Sequence, residues 1–162
     1  MTTGHLKDIA DQAPKGRALL GLDIGKKTIG LALCAAGQTL VTPLFTVKRT
    51  KFTKDILELS KAIQDYEVGG YVLGLPINMD GSEGPRAQSI RDFAGEMKNH
   101  PDIFGVDPWV AFWDERLSTA YVEDFVDKAV RKRKTRVNSK SSGLIDKLAA
   151  QHILQGAVDS MC

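Results

Sequence analysis

Apolar residues recur with two different periods along this chain, and the change of period divides it into elements. Extended apolar runs lie at about 18–24 (ALLGLDI), 28–35 (TIGLALCA) and 39–46 (TLVTPLFT), broken by Gly25 and by Ala36-Gly37. Links this short between extended runs predict an antiparallel meander. From Phe52 the spacing becomes helical, through Ile56, Leu59, Ile63 and Tyr66, and Gly69-Gly70 reads as the stop. Tyr71-Val-Leu-Gly-Leu75 reads as a buried strand that Pro76 sends into the loop 76–84. A helix over 85–99 follows, with Ala87, Ile90, Phe93, Ala94 and Met97 inward, and Val110–Trp113 reads as a fifth strand. Val122, Phe125, Val126, Ala129 and Val130 mark a further helix capped by Ser118 or Thr119, and a last helix spans about 143–160.

The order is therefore three strands, helix, strand, helix, strand, helix, helix. Alternation in the second half requires parallel strands joined by right-handed crossovers. The predicted fold is an α/β domain of ribonuclease H-like arrangement, with a mixed five-stranded sheet and helices on both faces. At 162 residues and 43% hydrophobic the chain suits one domain, placed at 18–162. Residues 1–17 lack an apolar signal core and read as a flexible N-terminal extension ending near Pro14 and Gly16.

Net charge is only +2, so the distribution of charge says more than its sum. KRTKFTK at 48–54 carries four basic groups and RKRKTRVNSK at 131–140 carries six. Cys34 lies in an apolar run and Cys162 is the last residue, so neither a disulfide framework nor a metal-ligand spacing arises. A reduced, cytoplasmic protein is the reading, as a monomer or weak homodimer. No apolar run approaches the roughly 20 residues of a membrane span, so no membrane partner is expected.

Three acids lie at apolar boundaries instead of on polar faces. Asp23 sits inside the first strand, Glu115 follows the strand at 110–113 in WDERLST, and Asp146 shares a helical face with Ala149, Ala150, Ile153 and Ala157. Each has an ordinary alternative. Asp23 would make a strand-end turn with Gly25, Glu115 a surface pair with Arg116, and Asp146 a favourable charge near a helix N-terminus. A buried carboxylate is costly unless it is paired or binds metal. Parallel strands and a helix packed over them can bring all three to one sheet edge. Such an oxygen-rich set suits Mg²⁺ or Mn²⁺, which promote phosphodiester hydrolysis. His5, His100 and His152 have no spacing that would build a zinc site.

The runs LLGLDIGKKTIGLAL, VLGLPINMDGSEGPRA, WDERLST and IDKLAAQHIL, in this order over about 18–159, resemble the YqgF family, Holliday junction resolvase-like proteins described as pre-16S rRNA nucleases. The resemblance implies a ribonuclease H-like fold, a bacterial cytoplasmic origin and cleavage of the 5′ flank of the small-subunit rRNA precursor. It also implies that Asp23, Glu115 and Asp146 are the catalytic and metal-binding acids. Junction resolvases of related fold carry a second acid on the last helix. Positions 149 and 150 are Ala here, leaving three acids, not four, which weighs against tight binding of two metals.

Around these acids stand groups suited to a nucleic-acid backbone. Lys26 and Lys27 would contact the phosphate next to the cut, or simply decorate a solvated hairpin. In the loop after the fourth strand, Asn78, Ser82 and Arg86 can bond phosphate or sugar, while Asp80-Gly81 is plain turn chemistry. Arg116 can pair with a phosphate oxygen, or else with Asp114. Arg131, Lys132, Arg133 and Lys134 either form a solvated helix end or hang over the metal site as a phosphate-binding loop. The partner is thus structured RNA, pre-16S rRNA, or branched DNA as the alternative. An ATPase of the actin and sugar-kinase type shares an Asp-x-Gly phosphate motif but needs two such domains. A non-catalytic nucleic-acid-binding module would not need all three acids.

Overall fold

In the computed structural model, which describes residues 1–117 and 140–162, the strands form one six-stranded sheet. They are β1 (Thr2–His5), β2 (Ala18–Ile24), β3 (Thr28–Cys34), β4 (Thr42–Lys48), β5 (Val68–Leu75) and β6 (Trp109–Asp114), in spatial order β1-β6-β5-β2-β3-β4. The first hairpin is tight: Gly25 N–H donates to the Thr28 carbonyl at 2.8 Å, which fixes β2 and β3 as antiparallel. β4 continues the meander, whereas β5 runs parallel to β2, and β6 parallel to β5. Helices α2 (Phe52–Asp65) and α3 (Pro85–Met97) make the two crossovers that parallel pairing demands.

Successive strand side chains point to opposite faces, and both faces are covered. Leu20, Leu22 and Ile24 pack with Ile56, Leu59, Ile90 and Phe93 under α2 and α3. Leu19, Ala32, Val72 and Trp113 pack with Ala150, Ile153, Leu154 and Ala157 of the last helix, α5 (Lys140–Met161), a short α4 (Pro101–Phe104) preceding β6. Burial on both faces explains why these strands read as nearly unbroken apolar runs.

The sixth strand comes from residues 1–17, expected to be a loose extension. Thr2–His5 pairs with β6 at the sheet edge, and α1 (Leu6–Ile9) buries Leu6 and Ile9. The Trp109 indole N–H donates to the Ile9 carbonyl at 2.9 Å. Polar Thr2 and Thr3 gave no period-2 apolar signal, because an edge strand this short draws its stability from the neighbour it joins.

Gly69-Gly70 does not stop α2, as its position suggested; both residues lie inside β5. The helix ends at Asp65, and the chain reverses through Glu67 at a φ of 53°. Gly69 and Gly70 are small because Arg17 and Trp109 cross directly above them, within 2.6 and 2.8 Å of where a Cβ would stand. β4 lies later than the apolar run suggested, and α5 begins at Lys140, before the expected 143. The helix expected over 122–130, its cap and the basic run at 131–136 lie outside the described residues. Among the described residues no helix is long and apolar enough to cross a membrane.

Candidate active site

The site is built on glycines. On the sheet face covered by α5, Asp23 of β2 stands opposite Gly30 of β3. On its other side Leu22 pairs with Leu73 of β5, so Gly74 lies level with Asp23. A Cβ on Gly30 would come within 2.9 Å of the Lys147 amide nitrogen and closer still to the Asp146 carbonyl group, so the absent side chain is what lets α5 rest on the strand. A Cβ on Gly74 would sit 2.6 Å from Glu115 Oε1 and 2.5 Å from Ile153 Cδ1. Asp146 therefore lies above Gly30 and Glu115 above Gly74, with Asp23 between them. Adjacent strands are about 4.8 Å apart, which sets the scale of the row of acids.

Each acid reaches this row by a different route. Asp23 is the penultimate residue of β2, pointing to the α5 face because Leu22 and Ile24 take the other. Glu115 opens the single 3₁₀ turn Glu115–Leu117 that ends β6. Asp146 is in the second turn of α5, not at its start, so a helix-end charge does not account for it. Thr28 Oγ1 donates to Asp146 Oδ2 at 2.5 Å and anchors that carboxylate to β3.

The electrostatics follow from this proximity. Burial first, then the charges of Glu115 and Asp146, push the Asp23 carboxyl up to about 7, against a counteracting pull from Arg86. Glu115 is also raised, chiefly by burial and then by Asp114, with Arg86 opposing. Arg86, exposed in the first turn of α3, is a cation whose field reaches both acids.

Among the described residues no three His, Cys, Asp or Glu side chains converge tightly enough to grip a metal ion as they stand, Asp146 being turned towards Thr28. The donor set nevertheless suits one kind of ion. Three carboxylates and a hydroxyl are hard oxygen donors, and a divalent cation would relieve the burial and mutual repulsion that raise Asp23.

The other expected contacts divide. Lys26 and Lys27 are exposed in the β2–β3 turn, and the Arg49 N–H donates to the Lys27 carbonyl at 2.8 Å. Asn78 and Ser82 are bonded to each other at 3.0 Å, while Asp80 accepts from both the N–H and the hydroxyl of Ser82, so turn chemistry organises this loop. Arg116 takes its protein alternative, forking onto Asp114 with a shortest approach of 2.8 Å. Arg131, Lys132, Arg133 and Lys134 lie outside the described residues. Sequence reasoning missed Gly30 and Gly74 as the floor beneath the acids; small residues at alternating positions on one strand face were the available signal.

A family model described as "RuvX: Holliday junction resolvase" matches residues 17–160. The chain belongs to the RuvX family. Among similar proteins, one of Rhodospirillum centenum named "Putative pre-16S rRNA nuclease" is 45% identical over 163 aligned residues, covering 99% of this chain and 83% of the relative. A protein of the same name from Roseobacter denitrificans is 48% identical, covering 95% and 91%. Solved structures agree on the fold. RuvC of T. thermophilus in complex with a Holliday junction substrate aligns with a TM-score of 0.50 at 14% identity, covering 89% of this chain and 94% of that one. The Fowlpox virus resolvase bound to Holliday junction DNA also gives 0.50 at 14%, over 88% and 97%. The ribonuclease H-like expectation thus stands, with six strands in place of five.

Proposed function

We propose that this RuvX protein is a divalent-metal-dependent endonuclease that processes the 5′ end of pre-16S rRNA in ribosome biogenesis. The observation that carries the reading is the row of Asp23, Glu115 and Asp146 over Gly30 and Gly74, three acids from distant parts of the sequence at one sheet edge. These acids would hold Mg²⁺ or Mn²⁺, which when bound supplies Lewis acidity at the phosphoryl group and a more acidic water. Asp23 fixes the centre of the row, since its strand is clamped on both sides. Thr28 orients Asp146, and Arg86 adds positive field where the phosphate's charge must be held. The names of the relatives favour an RNA precursor, and branched DNA is the alternative substrate. Free Cys34 and Cys162 and an rRNA substrate fit a cytoplasmic enzyme.

The direct test is incubation with labelled rRNA precursor and with four-way DNA junctions, with and without Mn²⁺. Metal-dependent cleavage of the precursor at its 5′ flank supports the reading; cutting of junctions alone reassigns the substrate, and no cutting of either rejects it.

Asp146→Asn separates a metal ligand from a structural acid. As a ligand, its replacement lowers activity steeply and weakens Mn²⁺ binding, yet leaves metal-free thermal stability unchanged or raised because carboxylate repulsion is relieved. A destabilised but fully active variant removes Asp146 from the site. Replacing Arg131, Lys132, Arg133 and Lys134 by Ala is expected to weaken RNA binding about equally across sequences. The salt dependence should flatten by about one unit of slope for each phosphate that is no longer engaged. An unchanged slope makes the run a solvated helix end.

A further inference from the structure

On the sheet face opposite the acids, the same edge carries a second concavity. It has a volume of about 640 Å³ and is lined by Lys26, Arg49, Thr50, Arg86 and Ser89 above an apolar floor of Ile24 and Ile90. Ile24 and Ile90 belong to the core under α2 and α3, which places this cavity across β2 from the α5 side where Asp23 lies. Three cations meet here, no carboxylate lines the cavity, and none of the three forms an ion pair among the described residues. Asp55, the buried acid behind Thr50, already accepts from the Thr50 N–H at 3.0 Å and from its hydroxyl at 3.1 Å. Like charges gathered in a concave site repel one another unless an anion joins them.

Arg49 is held in place, unlike a solvated surface arginine. Its Nη1 donates to the Gly25 carbonyl at 2.6 Å, and its guanidinium lies 6.0 Å from the centre of the Phe93 ring. Its backbone N–H is also fixed, on Lys27. The remaining guanidinium N–H groups have a fixed fork geometry suited to phosphate oxygens. Ser89, one helical turn after Arg86 on α3, adds a hydroxyl on the same wall.

We infer that this cavity binds a backbone phosphate of the substrate strand flanking the one presented to the acids, with Arg49 and Ser89 as contacts alongside Lys26 and Arg86. The sheet separates the cavity from the acid row, so one phosphate cannot occupy both. A strand crossing the end of β2 would place successive phosphates on either side, with Arg86 reaching towards both. This rests on the nuclease reading and extends it by defining where the strand is held away from the cut.

The test is a binding measurement in excess chelator, independent of cleavage. The full chain is titrated with an RNA hairpin bearing the precursor's 5′ flank, in which one neutral methylphosphonate linkage is moved stepwise. One linkage is expected to weaken wild-type binding about tenfold, in line with removal of a charge-assisted hydrogen bond. In Arg49→Gln that same linkage should matter less, about threefold, because Lys26 and Arg86 remain. Arg86→Gln with Ser89→Ala, both at exposed positions, repeats the comparison should Arg49→Gln fail to fold. Interference profiles that are identical in wild type and variants, or absent in all, overturn the inference. Cleavage of the precursor in Mn²⁺ is scored separately: an active enzyme with an unaltered profile loses only this cavity, and an inactive one with the shifted profile keeps it.

Discussion

Asp23→Asn is expected to reduce Mn²⁺-dependent cleavage by about a thousandfold or more, while RNA binding and the fold persist. The size follows from losing the central oxygen donor, a change worth several kcal/mol in the transition state at about 1.4 kcal/mol per factor of ten. The same substitution has a second signature in stability. In the folded chain the Asp23 carboxyl titrates at about 7, far above an ordinary aspartate near 4, so the native state holds a proton that the unfolded state has released. Stability of the metal-free protein therefore falls as pH rises through that window, by on the order of 4 kcal/mol as an upper bound. Asn at this position removes that slope. Urea denaturation in chelator from below pH 5 to above pH 7 measures it, and added Mn²⁺ at pH 7 should raise the melting temperature of wild type but not of the variant. Wild-type cleavage by the variant, or full activity in excess chelator, would exclude this role.

Gly30→Ala tests the floor of the site without touching an acid. The new methyl would stand inside van der Waals contact of the Asp146 carbonyl group and the Lys147 amide nitrogen. These are helix backbone atoms, which cannot swing aside as a side-chain end can. α5 must lift, so the cost is expected at the upper end of the range for overpacking, about 3 kcal/mol or more. Lifting α5 also carries Asp146 away from Thr28 and Asp23, and activity should fall at least about a hundredfold even where the protein stays folded. Gly95→Ala is the control: it lies in α3 with nothing near the added methyl and should stabilise by about 0.5–1 kcal/mol. Equal effects of the two substitutions would rule out a packing role specific to Gly30. The melting temperatures and cleavage rates of both variants decide it.

The most readable parts of this chain were those in which local pattern and tertiary role agree. The helical spacing from Phe52 to Ile63 became α2, and Ala87, Ile90, Phe93, Ala94 and Met97 all proved buried on α3. Strand β2 was visible because it is covered on both faces, and Asp23 stood out as the one charge within it. Elements defined by their neighbours were harder to see. Thr2–His5 is a strand only because β6 offers it an edge, and Gly69-Gly70 looks like a helix stop until Arg17 and Trp109 are placed above it. Arg116 illustrates the same limit at the site. Its side chain suits a phosphate and a carboxylate equally, and the turn after β6 gives it Asp114.

By itself the sequence determined the alternation of elements, hence a mixed sheet with crossover helices, and it singled out three acids at apolar boundaries. Those are consequences of burial, which leaves a periodic trace along the chain. Tertiary structure alone decided that Asp146 lies over Gly30, that Glu115 lies over Gly74, and that Asp23 lies between them. It also decided that Arg49, some two dozen residues after Lys26 in the chain, shares a cavity with it and with Arg86. Such placements depend on strand register and on how near a helix backbone can approach a strand. Both are set by the absence of side chains at a few glycines and by pairing between distant segments, neither of which leaves a period in the chain.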